Sequence, residues 1–457
     1  MKIYKFGGSS VGNPRRIQSI VSLLKERTSS DMCRAVVFSA FQGVTDQLIE
    51  VAELAAMGRQ EYTDLVKQIE SRHLESVREL VDLHMQSNTM AQVKMLLNDL
   101  DDILQGIFLI RELSLRSRDF IMSFGERLSN LIISRALTSA GLDNEFLDAR
   151  NVIRTNNRFG AAVVNEDVTS QLIRDHFASH PVLQIVTGFI ASTEQNETTT
   201  LGRGGSDYTA SILGAALQAD EVQIWTDVDG VLTADPRKVV RAFPVETMTY
   251  EEALEMSHFG AKVIYPPTIQ PLMARGIPIR IMNTFNPSGK GTLITADAQP
   301  GNFDIKGISS IDDVSLIKVQ GAGMVGVAGI AQRIFGSMAR HGISVILISQ
   351  ASSEYSVCFA VRPEDAMPAR TILLEEFEHE IRHGKVSEVT IEDQLCIIAI
   401  VGENMRATPG IAGRVFQSLG QNGVNIAAIA QGSSELNISI VISRDDERKA
   451  LTAIHDS

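Results

Sequence analysis

Two patterns of apolar and polar positions divide this chain, and the first occupies residues 1–300. Short runs rich in β-branched and aromatic residues at 2–6, 35–39, 184–187, 222–226 and 278–282 read as strands, with helical stretches between them. Apolar strands separated by helices predict a largely parallel sheet covered on both faces. Between positions 45 and 140 strand signal is scarce. Leucines and charged residues recur there at helical spacing, which predicts a helical subregion inserted between strands. Turn-rich segments at 286–291 and 299–302 then bracket an interdomain boundary.

The second pattern is an internal repeat. Gly329-Ile330-Ala331-Gln332-Arg333-Ile334-Phe335 recurs 81 positions later as Gly410-Ile411-Ala412-Gly413-Arg414-Val415-Phe416. The register continues without a gap through Gly342 and Gly423 to Gln350 and Gln431. In each copy apolar residues fall four apart, on one helix face: Ile330, Ile334 and Met338, then Ile411, Val415 and Leu419. A glycine follows each helix and a β-rich run follows the glycine, so each copy reads as strand, helix, strand, turn, strand. Two copies are too few for a solenoid, and a side-by-side pair of small α/β units is expected. The division is 1–300, 301–390 and 391–457, as 457 residues are too many for one compact core.

Composition narrows the function. A 44% hydrophobic and 21% charged chain is an ordinary globular protein. Its net charge of −13 opposes nucleic acid and anionic lipid, so no nucleic-acid or membrane partner is expected. An anionic substrate must then meet a local cluster of Lys and Arg. Cys33, Cys358 and Cys396 form neither a close pair nor a metal spacing, and no metal-ligand set is read. Glycine arrives too early in the first residues for a secretory apolar region, and no uncharged apolar run approaches ~20 residues. A cytoplasmic protein is expected.

Four clusters carry candidate chemistry. Lys5-Phe6-Gly7-Gly8-Ser9-Ser10 closes the first strand. Its glycines let backbone approach a phosphate, although such a turn is also an ordinary connection. Leu201-Gly202-Arg203-Gly204-Gly205-Ser206-Asp207 precedes an Ala-rich helix at 209–217. Arg203 offers a planar fork for a carboxylate; Asp207 is placed to orient a lysine or a metal, to cap the helix, or to do both, and the cap role is open to Ser206 too. Trp225-Thr226-Asp227-Val228-Asp229-Gly230 ends a strand where α/β sheets place ligands, and the chain runs on to Arg237; two plain turns are the alternative. Gly260-Ala261-Lys262-Val263 follows an acidic helix, and Lys262 taken alone reads equally as a surface lysine. Gly321-Ala322-Gly323-Met324-Val325-Gly326 fits a dinucleotide fingerprint, but no acid ends the next strand, so NAD is not expected.

Together with Phe38-Ser39-Ala40, Gly43-Val44-Thr45, Ser123-Phe124-Gly125-Glu126, Arg154-Thr155-Asn156 and Thr187-Gly188-Phe189, these clusters resemble the aspartokinases in order and spacing over essentially the whole chain. The resemblance is greatest to the kinase half of bifunctional aspartokinase–homoserine dehydrogenases. Asp46, Tyr265 and Leu232 depart from residues common in the family. The resemblance implies an amino-acid-kinase α/β/α sandwich followed by tandem ACT, ferredoxin-like α+β, regulatory domains. It implies an aspartate kinase that uses ATP and Mg²⁺ to make 4-phospho-L-aspartate, the first step towards lysine, threonine and methionine.

By the same resemblance, Lys5, Gly7, Gly8, Ser9, Thr226, Asp227, Arg237, Lys262 and Val263 hold ATP. Ser39, Thr45, Glu126 and Arg203 hold aspartate, and Ser39 and Asp207 orient Lys5 and the phosphates. Lys5, Asp207 and Arg203 form the catalytic set. Gln350 and Gln431 would take an allosteric amino acid, with threonine favoured over lysine, although Glu354 and Glu435 would suit lysine; the alternative is that the two glutamines only cap strand ends. A homodimer or dimer of dimers through the ACT region is expected. The alternatives are another amino-acid kinase or a catalytically silent amino-acid sensor.

Overall fold

The computed structural model describes residues 1–30, 32–259, 264–297, 305–350, 355–402, 405, 408–431 and 436–457. They form two compact units. The first comprises Met1–Val231, Glu246–Tyr250 and Val263–Ala298; the second comprises Leu232–Val245, Glu251–Lys262 and Gln299–Ser457.

The first unit opens with β1 (Lys2–Phe6), α1 (Pro14–Ser30) and β2 (Cys33–Phe38). The helical insertion follows as α2 (Val44–Ala56), α3 (Tyr62–Leu80), α4 (Leu83–Ile110) and α5 (Leu115–Ser139). Then come β3 (Asn144–Leu147), β4 (Arg154–Thr155), α6 (Glu166–Ser179), β5 (Leu183–Thr187), β6 (Ile190–Thr193), β7 (Thr198–Thr200), α7 (Gly205–Leu217), β8 (Glu221–Thr226) and β9 (Thr247–Thr249). Beyond α8 (Tyr250–His258), which runs into the second unit, the first closes with α9 (Pro266–Met273), β10 (Ile279–Asn283) and β11 (Thr292–Thr295).

Eight strands form one sheet in the order β3-β5-β2-β1-β8-β10-β11-β9, parallel except for the β10–β11 pair. Its central strands are buried on both faces, as helix-covered parallel strands must be. Phe38, Phe6 and Trp225 stand side by side in register on β2, β1 and β8, with ring centroids 5.4 and 5.6 Å apart. They join the core formed by the helical insertion. Lys5, one residue earlier on β1, faces the opposite side by the two-residue alternation of a strand.

Strand direction and register bring the carboxyl ends of β1, β2, β5, β8 and β10 to one edge: Phe6 lies beside Phe38 and Trp225, Phe38 beside Thr187, and Asn283 beside Thr226. The chain leaves β1 for β2 on one side and reaches β8 on the other, the reversal at which open α/β sheets take ligands.

The second unit contains β12 (Ile305–Gln320), α10 (Ile330–Arg340), β13 (Leu347–Gln350), β14 (Ser356–Val361), α11 (Pro363–Glu376), α12 (Glu378–Arg382), β15 (Glu388–Gly402), α13 (Ile411–Gln421), β16 (Ile426–Ala430), β17 (Asn437–Ser443) and α14 (Glu447–His455). The sheet order β13-β14-β12-β15-β17-β16 is the repeat made visible, three strands from each copy. β12 and β15 pair antiparallel over their length, with register shifts at residues 305–307, 311–314 and 314–316, and the left-handed residues Asp313 and Gln394 stand 81 positions apart. Alternation on the strands separates three cores. Val357, Phe359 and Val361 face α10 and α11, and Ile438, Ile440 and Ile442 face α13 and α14. Leu316, Leu347, Ala360, Ile397, Ala399 and Val441 meet between the two halves.

The division departs from a single cut at residue 300. Leu232–Val245 joins the second unit because Ala234 and Val239 are buried with Ile308, Ile440 and Leu451. Lys238 holds it there through Ser310 at 3.0 Å, Glu447 at 2.6 Å and Asp312. Gly321 and Gly323 also acquire a structural cause. A Cβ on either would lie 2.2–2.4 Å from Lys385 atoms, so these glycines allow close chain packing.

Candidate active site

At the edge of the first unit's sheet, Lys5 is only 8% exposed, and its Nζ lies 2.6 Å from Asp207 Oδ1. The pair is ionic, its angles falling short of a hydrogen bond. Asp207 occupies the first turn of α7. That helix is capped by neither Ser206 nor Asp207 but by Gly204, left-handed at φ 70° and without a side-chain cap. Asp207 therefore serves the lysine. A Cβ on Gly204 would sit 2.9 Å from Tyr265 Cβ, so both the handedness and the room require glycine.

After β1 the chain turns tightly through Gly7, Gly8 and Ser9, with Ser10 N–H and Val11 N–H donating to Gly7 O at 3.0 and 3.3 Å. Ser10 Oγ is 2.7 Å from Thr284 Oγ1, tying this turn to the end of β10. After β2, Ser39 Oγ donates to Ser206 Oγ at 3.0 Å, joining the loop to α7. Thr45 is half-buried in the first turn of α2, which begins at left-handed Gly43.

Helix α5 supplies Glu126, buried beneath this loop. Its Oε1 accepts Ala40 N–H at 3.2 Å, while Oε2 has no partner among the described residues. Burial pushes its carboxyl up to about 8, against the smaller opposing effect of the Ala40 amide. One turn on, Asn130 donates to Phe38 O at 3.1 Å and Ser129 to Ser39 O at 2.9 Å, so α5 holds the end of β2 from below.

Arg203 is exposed, its guanidinium 5.8 Å from the centre of the Tyr265 ring, with no ion pair among the described residues. Thr226 Oγ1 donates to Asp227 Oδ1 at 3.1 Å at the end of β8. Thus Lys5, Gly7, Gly8, Ser9, Ser39, Thr45, Glu126, Arg203, Asp207, Thr226 and Asp227 all belong to the first unit. Arg237 belongs to the second, where it forks onto Asp235 at 2.7 and 3.0 Å and is 82% exposed. Lys262 and Val263 lie outside the described residues, as do Glu354 and Glu435.

The roles of two further residues at this edge emerge only from the geometry. Phe189 holds φ 68°, an uncommon state for a bulky residue, and donates its N–H to Thr209 Oγ1 at 3.0 Å. Asp119, two helical turns before Glu126 on the same face of α5, accepts Gly160 N–H at 2.9 Å, Thr200 N–H at 3.0 Å and Thr200 Oγ1–H at 2.8 Å. It thereby anchors the entrance to the Arg203 loop. The seven-residue spacing was its only sequence signal; Phe189 had none beyond its Thr-Gly-Phe context.

Chemically, the edge offers a paired lysine, a buried glutamate carboxyl, glycine-rich backbone and an arginine; among the described residues the arginine has no ion pair and one carboxyl oxygen has no partner. This set suits two anions, one bearing an ammonium. Residues 1–283 match the model of the amino acid kinase family, and residues 317–377 and 398–457 match the ACT domain. Aspartokinase 1 of Arabidopsis thaliana, a chloroplast protein, is 31% identical over 464 residues, covering 100% of this chain and 79% of the relative. The chain belongs to the aspartokinase family. The bifunctional aspartokinase/homoserine dehydrogenase 2 of the same plant is 38% identical over 463 residues, covering 99% of this chain and 50% of the relative. This aspartokinase chain thus spans about half the length of the bifunctional relatives it matches. Aspartokinase III of E. coli, solved with aspartate and ADP, superposes with TM-score 0.81 at 29% identity, covering 100% of this chain and 99% of that one. The same enzyme solved with lysine and aspartate gives TM-score 0.79 at 29% identity and the same coverage.

Proposed function

We propose that the chain is an aspartate kinase. A side-chain carboxylate oxygen of L-aspartate attacks the γ-phosphorus of ATP, the bond to the β–γ bridging oxygen breaks, and 4-phospho-L-aspartate and ADP result. The Lys5–Asp207 pair at the switch point carries this reading, because it holds a desolvated cation in place where phosphoryl charge must be neutralised. An aspartate side chain, with a pKa near ~3.9, is already ionised at pH 7, so no general base is required. Arg203 would fork onto a substrate carboxylate, and Glu126 Oε2 would receive the ammonium. Ser39 and Thr45 would line the aspartate site. Gly7, Gly8 and Ser9 would face the phosphates, Thr226 and Asp227 the nucleoside, and Arg237, Lys262 and Val263 remain nucleotide candidates.

Mg²⁺ would arrive on the phosphates. Asp207, Ser39 and Ser206 present hard oxygens suited to it, and when bound it neutralises charge on the transferring group.

For regulation, we infer that the second unit binds an amino acid, threonine in preference to lysine. Gln350 ends β13 and Gln431 follows β16, two equivalent and exposed positions whose amides suit a hydroxyl or carboxylate. A homodimer, or a dimer of dimers, through this unit is supported by the apolar side chains that β13 and β16 leave exposed, Ile348 by 48% and Ile429 by 43%; the two strands themselves meet where Ser349 Oγ donates to Ile429 O at 2.9 Å.

A coupled assay for ADP release across a panel of amino acids tests the activity. Aspartate should be phosphorylated and glutamate should not. Lys5→Ala should lower turnover a few hundred-fold, about 3–4 kcal/mol, with its melting curve retained. Near-normal turnover in that folded variant would remove Lys5 from the mechanism.

A further inference from the structure

Two arginines outside the substrate set join the loop after β1 to the loop after β2. Arg72, from α3, donates through Nη1 to Gln42 O at 2.8 Å and through Nη2 to Gly12 O at 2.9 Å. One guanidinium therefore takes a carbonyl from each loop. Arg16, from α1, donates to Ser9 O at 2.6 Å and reaches Gln42 Oε1 at 3.4 Å, bridging the same two loops. Both cations lean on aromatic rings: Arg72 lies 5.9 Å from the centre of Phe41, and Arg16 lies 4.9 Å from that of Phe285. Phe41 is in turn stacked on His73 at 4.9 Å. Neither arginine makes an ion pair among the described residues; Arg72 donates to two backbone oxygens, and Arg16 to one backbone oxygen and the Gln42 side chain. Gly12 makes this possible, because a Cβ there would lie 2.8 Å from Gln42 Oε1 and 3.1 Å from Arg16 Nη1.

We propose that Arg16 and Arg72 are positioning residues, a brace that fixes the separation of the phosphate-facing and aspartate-facing loops. The proposal rests on the aspartate kinase reading above for what each loop holds. The first loop carries Gly7, Gly8 and Ser9; the second runs from Ser39 to Gly43 and leads into Thr45 on α2. In-line transfer demands reacting atoms about 3–3.5 Å apart, and a misplacement near ~1 Å costs about a hundred-fold in rate. Two loops leaving adjacent strands are not held to that tolerance by the sheet alone. A planar fork can hold both carbonyls at once, whereas an ammonium cannot match its geometry.

Arg72→Lys and Arg72→Met test the arm on α3, and Arg16→Met tests the arm on α1. Each should lower kcat about 10–100-fold while KM for ATP and for aspartate each stay within about three-fold of wild type. Lysine should fail as methionine does, and methylguanidinium should partly restore Arg72→Ala. Hydrogen exchange gives a readout independent of activity: amides in residues 7–12 and 39–43 should exchange faster together in Arg72→Met. Full kcat in Arg72→Lys would overturn the brace, since charge alone would then suffice. A loss confined to KM for one substrate, or faster exchange in one loop only, would assign the arginine to that loop alone and overturn it as well. If wild type transfers no phosphate to aspartate, the activity reading fails separately, and coupled exchange of the two loops still decides the brace. Should Arg72→Met not fold, Arg16→Met carries the same measurements.

Discussion

At the scale of single residues, Glu126 carries the most unusual chemistry. Burial places its carboxyl at about 8, against 4.5 for an ordinary glutamate. A carboxyl raised in this way stabilises the fold relative to the unfolded chain fully below 4.5, and that contribution is lost as pH rises through about 8. Glu126→Gln should therefore melt close to wild type at pH 5 and progressively higher than wild type towards pH 8.5, read by calorimetry without substrate. A substrate ammonium would favour the ionised form, so aspartate binding near pH 7 should release a proton. Titration calorimetry in buffers of differing ionisation enthalpy should detect this release in wild type and lose it in Glu126→Gln. Equal heats across buffers would place the ammonium elsewhere. Glu126 was legible through its Ser-Phe-Gly-Glu context, but its protonation was not. Only the packing of α5 beneath residues 39–40 removes water from it.

At the scale of elements, the start of α7 does the assembling, since one turn brings Asp207 to Lys5 and Ser206 to Ser39. Gly204→Ala should destabilise by about 1–2 kcal/mol for the left-handed backbone, more with the contact to Tyr265, and should depress turnover at the same time. Urea unfolding and a rate assay on the same preparation check both. Loss of stability with turnover retained would mean that the helix start is not coupled to catalysis. Sequence spacing suggested that α7 begins near 209. The helix starts four residues earlier, directly after Gly204, whose left-handed backbone turns the chain into it. The repeat was legible in finer detail. Gly329 and Gly410 both start helices with left-handed φ, 93° and 97°, and Gly342 and Gly423 both follow them.

For the whole molecule, threonine at millimolar concentration should inhibit, and Gln350→Ala or Gln431→Ala should relieve the inhibition with the uninhibited rate little changed. A coupling of roughly 1–3 kcal/mol between effector and substrate corresponds to about 5–150-fold in affinity. Inhibition by lysine alone, or by neither amino acid, would discard the assignment. Sedimentation at micromolar concentration should give a dimer or tetramer, shifted towards monomer by Ile348→Lys, and a wild-type monomer would remove the interface proposed at Ile348 and Ile429.

The sequence by itself determined the parallel sheet, the helical insertion, the two-copy second unit and the motifs whose residues end neighbouring strands. Those follow from local periodicity and turn chemistry, which the chain writes in consecutive residues. Tertiary structure alone decided the order β2-β1-β8 that sets Lys5 opposite Asp207, and the burial that raises Glu126. It also decided the bridging of two loops by Arg16 and Arg72 and the membership of Leu232–Val245 in the second unit. Each depends on which distant segments meet. Local pattern records which face of an element is apolar, but it does not say which neighbour covers that face.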